Sequence, residues 1–149
     1  MRLIIMRHAQ ALPHGYAGDH SRSLTPIGIE QATAAGVFLT DSNFMPTQAI
    51  VSSSARTQET FKLLGIDVPC EVSDKAYNAS VSSLTQIIRE TPATECLLVI
   101  AHNPGVTELV NNCGYESVMS PATVVVIDCE GNPDDFDPAL AKIVADFRP

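Results

Sequence analysis

The chain has 149 residues, of which 45% are hydrophobic, and its formal net charge is −8 at pH 7. This length suits one domain with a full hydrophobic core, and we predict a single domain over residues 1–149. The acidic balance argues against a general nucleic-acid binder, and the absence of a long apolar stretch argues against a membrane-spanning segment.

Short apolar runs typical of strands alternate along the chain with helical patterns. The first run, Arg2 to Arg7, predicts a buried strand. It is too short for a signal peptide, so we expect a cytoplasmic protein. Thr25 and Pro26 are typical of the N-cap and first residue of a helix. The further predicted elements are a strand at 49–51, a helix at 57–64, an extended piece near Val72, a helix at 81–88, a strand at 97–101, a helix from Asn103-Pro104 to Cys113 and a strand at 122–127.

The last segment alternates apolar residues from Ala141 to Phe147, which predicts an antiparallel edge strand. Together these elements predict an α/β fold, a three-layer α/β/α sandwich with a mostly parallel central sheet and an antiparallel edge strand. In such sheets ligands bind outside the carboxyl ends of the strands. The segments after Met6, Val51 and Ile100 are therefore where a site is expected.

Each of these three segments carries polar groups. Arg7 and His8 follow the first strand, Ser52 and Arg56 follow the second, and His102 follows the central one. A single histidine near a strand is more often a core residue than a functional one. Two arginines and two histidines at three neighbouring strand ends are hard to explain by structure alone, and they predict a shared site.

Phosphoryl transfer is the chemistry that needs this set of side chains. Guanidinium groups bind phosphoryl oxygens through paired, charge-assisted hydrogen bonds. A neutral imidazole can attack phosphorus and form a covalent intermediate, and neighbouring guanidinium charges lower its pKa and so favour the neutral form. A second imidazole can donate a hydrogen bond to a phosphoryl oxygen.

The same segments resemble those of a known family, the histidine phosphatase superfamily, whose fold is that of phosphoglycerate mutase. They are Arg7-His8-Ala9, Ser52-x-x-x-Arg56-x-x-x-Thr60 and Ile100-Ala101-His102-Asn103-Pro104, each after a predicted strand. The segment Arg22-Ser23-Leu24-Thr25-Pro26-x-Gly28 is similar to the small SixA-like phosphohistidine phosphatase branch. The resemblance runs from the start of the chain to about Val110.

This resemblance implies a hydrolase that forms a covalent phosphohistidine intermediate on His8. Arg7, Arg56 and His102 would complete the phosphate pocket, and Arg22 would lie at its rim or on the phosphate. We expect no cofactor and no metal, a phosphohistidine-bearing protein or a small phosphorylated molecule as substrate, inorganic phosphate as product, and a monomer.

Two departures from the family pattern affect these expectations. Position 9 is alanine where the family usually has glycine, which would cost on the order of 1 kcal/mol if that residue needed a positive φ. No acid between Cys70 and Glu95 lies in a recognisable catalytic motif. Asp19 is another candidate acid, although a solvated loop carboxylate is the favoured interpretation. Without a general acid, phosphohistidine is the preferred substrate because an alkoxide leaves less readily than an imidazole.

Two alternatives stay open at this point: a small-molecule phosphomonoesterase of the same superfamily, and a non-catalytic phosphate-binding module. A metal site built from His8 and His102 is disfavoured because the adjacent arginines repel a cation and no third ligand has suitable spacing. For Ser52 and Thr60 we expect structural roles, in a turn and in helix packing respectively.

Overall fold

The apolar runs form the strands of a single six-stranded sheet. The computed structural model describes residues 1–149. None of its helices is long and apolar enough to cross a membrane. The strands are β1 (Arg2–Arg7), β2 (Gln48–Ser52), β3 (Cys70–Ser73), β4 (Cys96–Ala101), β5 (Val124–Asp128) and β6 (Lys142–Phe147), and the helices are α1 (Pro26–Asp41), α2 (Ala55–Leu63), α3 (Val81–Arg89) and α4 (Gly105–Asn112).

The strands are arranged in the order β3-β2-β4-β1-β5-β6. The first four run parallel to one another, whereas β5 pairs antiparallel with β1 and β6 pairs antiparallel with β5. The predicted α/β fold, with its mostly parallel sheet and antiparallel edge pairing, is confirmed. Met6 and Val51 both pair with Ile100, so the strands β1, β2 and β4 end level with one another at the same edge.

Two hydrophobic cores cover the two faces of the sheet and define its three layers. Every residue of the central strand β4 is buried, and successive residues point to opposite faces. Leu97 and Val99 belong to the core beneath α3 and α4, while Leu98 and Ile100 belong to the core beneath α1. A strand that is apolar on both faces thus occupies the interior of the sheet, between β2 and β1.

The start of α1 is fixed by local sequence chemistry. The Thr25 hydroxyl accepts a hydrogen bond from the Gly28 N–H at 2.9 Å, and Pro26 occupies the first helical turn, as predicted. A side chain at Gly28 would place its Cβ 2.0 Å from the carbonyl oxygen of Gln10. Glycine therefore lets α1 pack directly against the chain that leaves β1, next to the predicted site.

Candidate active site

A polar cavity of about 290 Å³ lies at the carboxyl ends of the parallel strands. No hydrophobic residue lines it. Its walls are Arg7, His8, Asp19, Arg22, Arg56, Asn78, His102 and Asn103. The structure thus brings together all five residues that the sequence indicated. A larger cavity of about 510 Å³ at the opposite end of the strands, beside Arg2, has one arginine and no histidine in its walls, so the smaller one is the better candidate for phosphoryl chemistry.

His8 is held in the form that a nucleophile requires. Its side-chain Nδ1 lies 2.8 Å from the Ala9 carbonyl oxygen, which can only accept, so Nδ1 carries the proton and Nε2 keeps its lone pair. Burial lowers the pKa of His8 to about 4; the Ala9 hydrogen bond partly opposes this shift, and the charges of Arg56 and Arg7 add to it. The imidazole is therefore neutral at physiological pH.

The backbone beside His8 is anchored from three directions. The His8 N–H donates to the Ala101 carbonyl at 3.2 Å, and its own carbonyl accepts from Ala122 at 3.1 Å. The Ala9 N–H donates to the Thr60 hydroxyl at 3.0 Å. Ala9 is fully buried and does not adopt a positive φ. Alanine at this position is therefore unstrained, and Thr60, predicted only to pack a helix, also holds the segment that carries His8.

His102 lies beside His8 in the cavity wall, with 5.2 Å between the two ring centres. Its Nε2 is 2.6 Å from the Ser52 hydroxyl oxygen, and its Nδ1 accepts a hydrogen bond from Nη2 of Arg56 at 3.3 Å. Burial lowers the pKa of His102 to about 3, with further lowering by His8 and Arg56. The turn role predicted for Ser52 misses this contact, which only the folded chain reveals.

Two of the arginines have unused donors. Arg7 donates through Nη1 to the Met119 carbonyl at 3.1 Å, and Arg56 donates through Nη1 to the Asp19 carbonyl at 2.9 Å. The Nε atoms of Arg7 and Arg56 are buried without a hydrogen-bond partner. A buried donor without an acceptor costs about 1–3 kcal/mol. An anion is the kind of ligand that would offset this cost.

Asp19 is a counter-ion of the arginines. Its Oδ1 is 3.0 Å from Nη1 of Arg22, its Oδ2 is 3.2 Å from Nη2 of Arg56, and the Tyr77 hydroxyl donates to Oδ2. The Tyr77 hydrogen bond, followed by that of Arg22, holds the pKa of Asp19 well below its usual range. Asp19 is thus a half-exposed loop carboxylate, as the sequence suggested, that is also paired with two arginines. Its low pKa also makes it unsuited to donate a proton as a general acid.

Arg22 lies at the rim of the cavity. Besides its ion pair with Asp19, its Nε donates to the Leu12 carbonyl at 2.6 Å. Its position depends on the loop that joins β1 to α1, since both of its partners belong to that loop. Arg22 is thus placed near Arg56 by contacts within its own loop.

The segment that follows β3 also contributes to the site, although its residues were not among those predicted from the sequence. Tyr77 packs edge-on against the His102 ring, with centres 5.6 Å apart, and its ring centre is 5.9 Å from the Arg56 guanidinium carbon. Asn78 lines the cavity directly. β3 is parallel to β2 and ends at the same edge of the sheet. Inspecting the chain after every predicted parallel strand would have drawn attention to these residues.

The chain is similar in sequence to one known family and to bacterial proteins. The sequence profile of the histidine phosphatase superfamily (branch 1) matches residues 3–95. An uncharacterized protein of Mycobacterium tuberculosis is 36% identical over 107 residues, which is 70% of this chain and 66%, just under two thirds, of that protein.

Solved structures resemble the whole chain. A Nakamurella multipartitia protein that carries the name phosphohistidine phosphatase SixA is 27% identical, with a TM-score of 0.85 over 99% of this chain and 95% of that one. A protein histidine phosphatase SixA complexed with tungstate is 20% identical, with a TM-score of 0.79 over 98% of this chain and 96% of that one. At this lower identity the likeness shows the fold.

Proposed function

The chain belongs to the histidine phosphatase superfamily, and from this premise we propose that it removes phosphate from phosphohistidine in a protein through a covalent intermediate on His8. The observation that carries the proposal is the hydrogen bond from Nδ1 of His8 to the Ala9 carbonyl. It leaves the Nε2 lone pair free in a cavity lined by three arginines.

The proposed reaction has two steps. In the first, Nε2 of His8 attacks phosphorus, a bond from nitrogen to phosphorus forms, and the bond to the leaving group breaks. Arg7, Arg22 and Arg56 balance the negative charge on the phosphoryl oxygens, and His102 contacts one of them. In the second step, water attacks the phosphorylated His8. Inorganic phosphate is released and His8 returns to its neutral form.

The ionisable groups that line the cavity favour phosphohistidine over a phosphate ester as the substrate. Asp19 is the only carboxylate in the cavity wall, and its partners hold it in the ionised form. An alkoxide leaving group depends on a proton donor in the transition state, whereas the imidazole of a phosphohistidine can leave after its ring has taken a proton from water. A site without a carboxylic acid is thus better suited to the bond between phosphorus and nitrogen.

The short connection between β3 and β4 supports a protein as the substrate. The chain between Ser73 and Cys96 contains one turn of 3-10 helix, Asp74–Ala76, and the nine-residue helix α3. It adds no large lid over the cavity, so a side chain projecting from another protein can reach the arginines. The name of the Nakamurella relative agrees with this substrate class.

Comparing substrates tests the proposal. We expect kcat/KM to be higher for a phosphohistidine-bearing protein than for sugar phosphates and aryl phosphates at the same pH. A higher kcat/KM for the esters would favour the small-molecule phosphomonoesterase. Binding of inorganic phosphate without turnover of any of these substrates would instead favour the non-catalytic phosphate-binding module.

A further inference from the structure

Ser52 and His102 form a buried hydrogen-bonded pair behind the phosphate cavity. Ser52 is the last residue of β2, it has no exposed surface, and it does not line the cavity. Its hydroxyl oxygen is 2.6 Å from Nε2 of His102, and His102 is only 3% exposed. The serine therefore acts on any ligand only through the histidine ring.

The second ring nitrogen shows where the proton of His102 is. Nη2 of Arg56 lies 3.3 Å from Nδ1 of His102. A guanidinium group only donates, so Nδ1 must accept, and the neutral ring then carries its proton on Nε2. That proton is donated to Ser52. Nδ1, which contacts the cavity residue Arg56 rather than Ser52, is thus an acceptor, and a phosphoryl oxygen without a proton is an acceptor as well.

Two acceptors need a proton between them. We propose that Ser52 is a positioning residue that keeps the His102 proton on Nε2, so that Nδ1 can exchange its hydrogen bond from Arg56 for a phosphoryl group bound together with one proton. This inference rests on the proposed function for its ligand. The proton comes from the phosphoryl monoanion, and the hydrogen bond joins a phosphoryl oxygen to Nδ1 whichever of the two atoms holds the proton. When the ligand is a dianion, the complex takes that proton from solvent.

The charges around His102 couple the binding of this proton to the binding of the phosphoryl group. The ionisable side chains that face the ring come from the end of β1 and the residue after it, from the loop before α1, from α2 and from the segment after β3. They are Arg7, His8, Asp19, Arg56 and Tyr77. The two arginines disfavour a positive charge on the ring in the free protein. A bound phosphoryl group offsets those charges, so proton and ligand bind together.

Calorimetric titration with inorganic phosphate tests the inference without any turnover. In buffers of different ionisation enthalpy, well above the second pKa of phosphate, we expect the wild-type protein to take up close to one proton per phosphate bound. In Ser52→Ala the ring has no acceptor at Nε2 and can place its proton on Nδ1, so uptake should fall towards zero. Ser52→Thr keeps a hydroxyl and should retain the uptake.

Ser53→Ala is the matched control, because the Ser53 hydroxyl contacts His20 at 3.0 Å rather than His102. We expect it to keep wild-type uptake. The ¹⁵N shifts of His102 in the free wild-type protein should show a protonated Nε2 and an unprotonated Nδ1. The inference is overturned by a protonated Nδ1 in the free protein, by no uptake in the wild type, or by equal uptake in Ser52→Ala. Because only phosphate binding is measured, each of these results is distinct from a failure to hydrolyse phosphohistidine.

Discussion

Nδ1 of His8 donates its hydrogen bond to the carbonyl oxygen of the very next residue, Ala9, at 2.8 Å. This contact fixes the tautomer of the proposed nucleophile from within its own segment. If His8 is phosphorylated during turnover, His8→Ala should lower kcat by at least about a thousandfold. Binding of inorganic phosphate should stay close to the wild-type level because the three arginines remain. Steady-state kinetics with a phosphohistidine protein and calorimetry with phosphate measure the two effects.

His14 offers a matched control for the loss of one histidine, since it is exposed and does not line the cavity. We expect His14→Ala to keep the wild-type kcat. Rapid quenching with labelled phosphohistidine protein should place the label on His8. An unchanged kcat in His8→Ala, or a label on another residue, would rule out His8 as the nucleophile.

Burial of two neutral histidines predicts a specific pH dependence of stability. The pKa of His8 is lowered from 6.5 to about 4 in the folded protein, and that of His102 is lowered to about 3. Between the unfolded and folded values, the unfolded chain binds more protons, so the free energy of unfolding should fall as the pH drops through this window. Urea unfolding at a series of pH values measures the slope. The double variant His8→Gln, His102→Gln should have a shallower slope, and equal slopes would contradict the prediction.

The strand ends were predictable because the information is local. Apolar runs specify β1, β2 and β4, and parallel neighbours must end at one edge of the sheet. That argument alone brings Arg7, His8, Arg56 and His102 into one neighbourhood. Thr25 and Pro26 likewise specify the start of α1 within a few residues.

The partners of these residues could not be predicted, since they depend on how distant loops pack. Asp19 meets Arg56 across 37 residues of sequence, and Ser52 meets His102 across 50. No periodicity or motif specifies which side chain of a polar loop turns towards a guanidinium group. The sequence therefore indicated the residues of the candidate site, whereas the hydrogen bonds that set their protonation came from the structure.

Asp19 should weaken phosphate binding, because its carboxylate competes with the ligand for the guanidinium groups of Arg22 and Arg56. Asp19→Asn removes the charge and keeps one of the two oxygens, so it can still accept a hydrogen bond from one of these arginines. Because Asp19 is half exposed to water, its repulsion of a nearby anion is screened to about 1 kcal/mol, which corresponds to roughly fivefold in affinity. We expect the inhibition constant of inorganic phosphate to fall by about this factor.

Asp67→Asn changes the net charge equally at an exposed position outside the cavity, and it should leave the inhibition constant unchanged. Weaker phosphate binding in Asp19→Asn would mean that the carboxylate mainly orients the arginines. An effect of the same size in Asp67→Asn would mean that net charge, rather than the cavity, sets the affinity.

Thr60 is expected to support the nucleophile through the backbone of Ala9. Its hydroxyl accepts from the buried Ala9 N–H at 3.0 Å and donates to the Arg56 carbonyl at 2.7 Å. Thr60→Val has a similar shape but leaves that N–H without an acceptor, which should cost about 1–3 kcal/mol of unfolding free energy and lower kcat. Thr60→Ser keeps the hydroxyl and loses only a methyl group, so it should retain more of the kcat even if packing is weakened. Urea unfolding and steady-state kinetics on both variants separate the two contributions. If Thr60→Val matches Thr60→Ser in kcat and is as stable as the wild type, the hydroxyl does not hold the His8 segment in place.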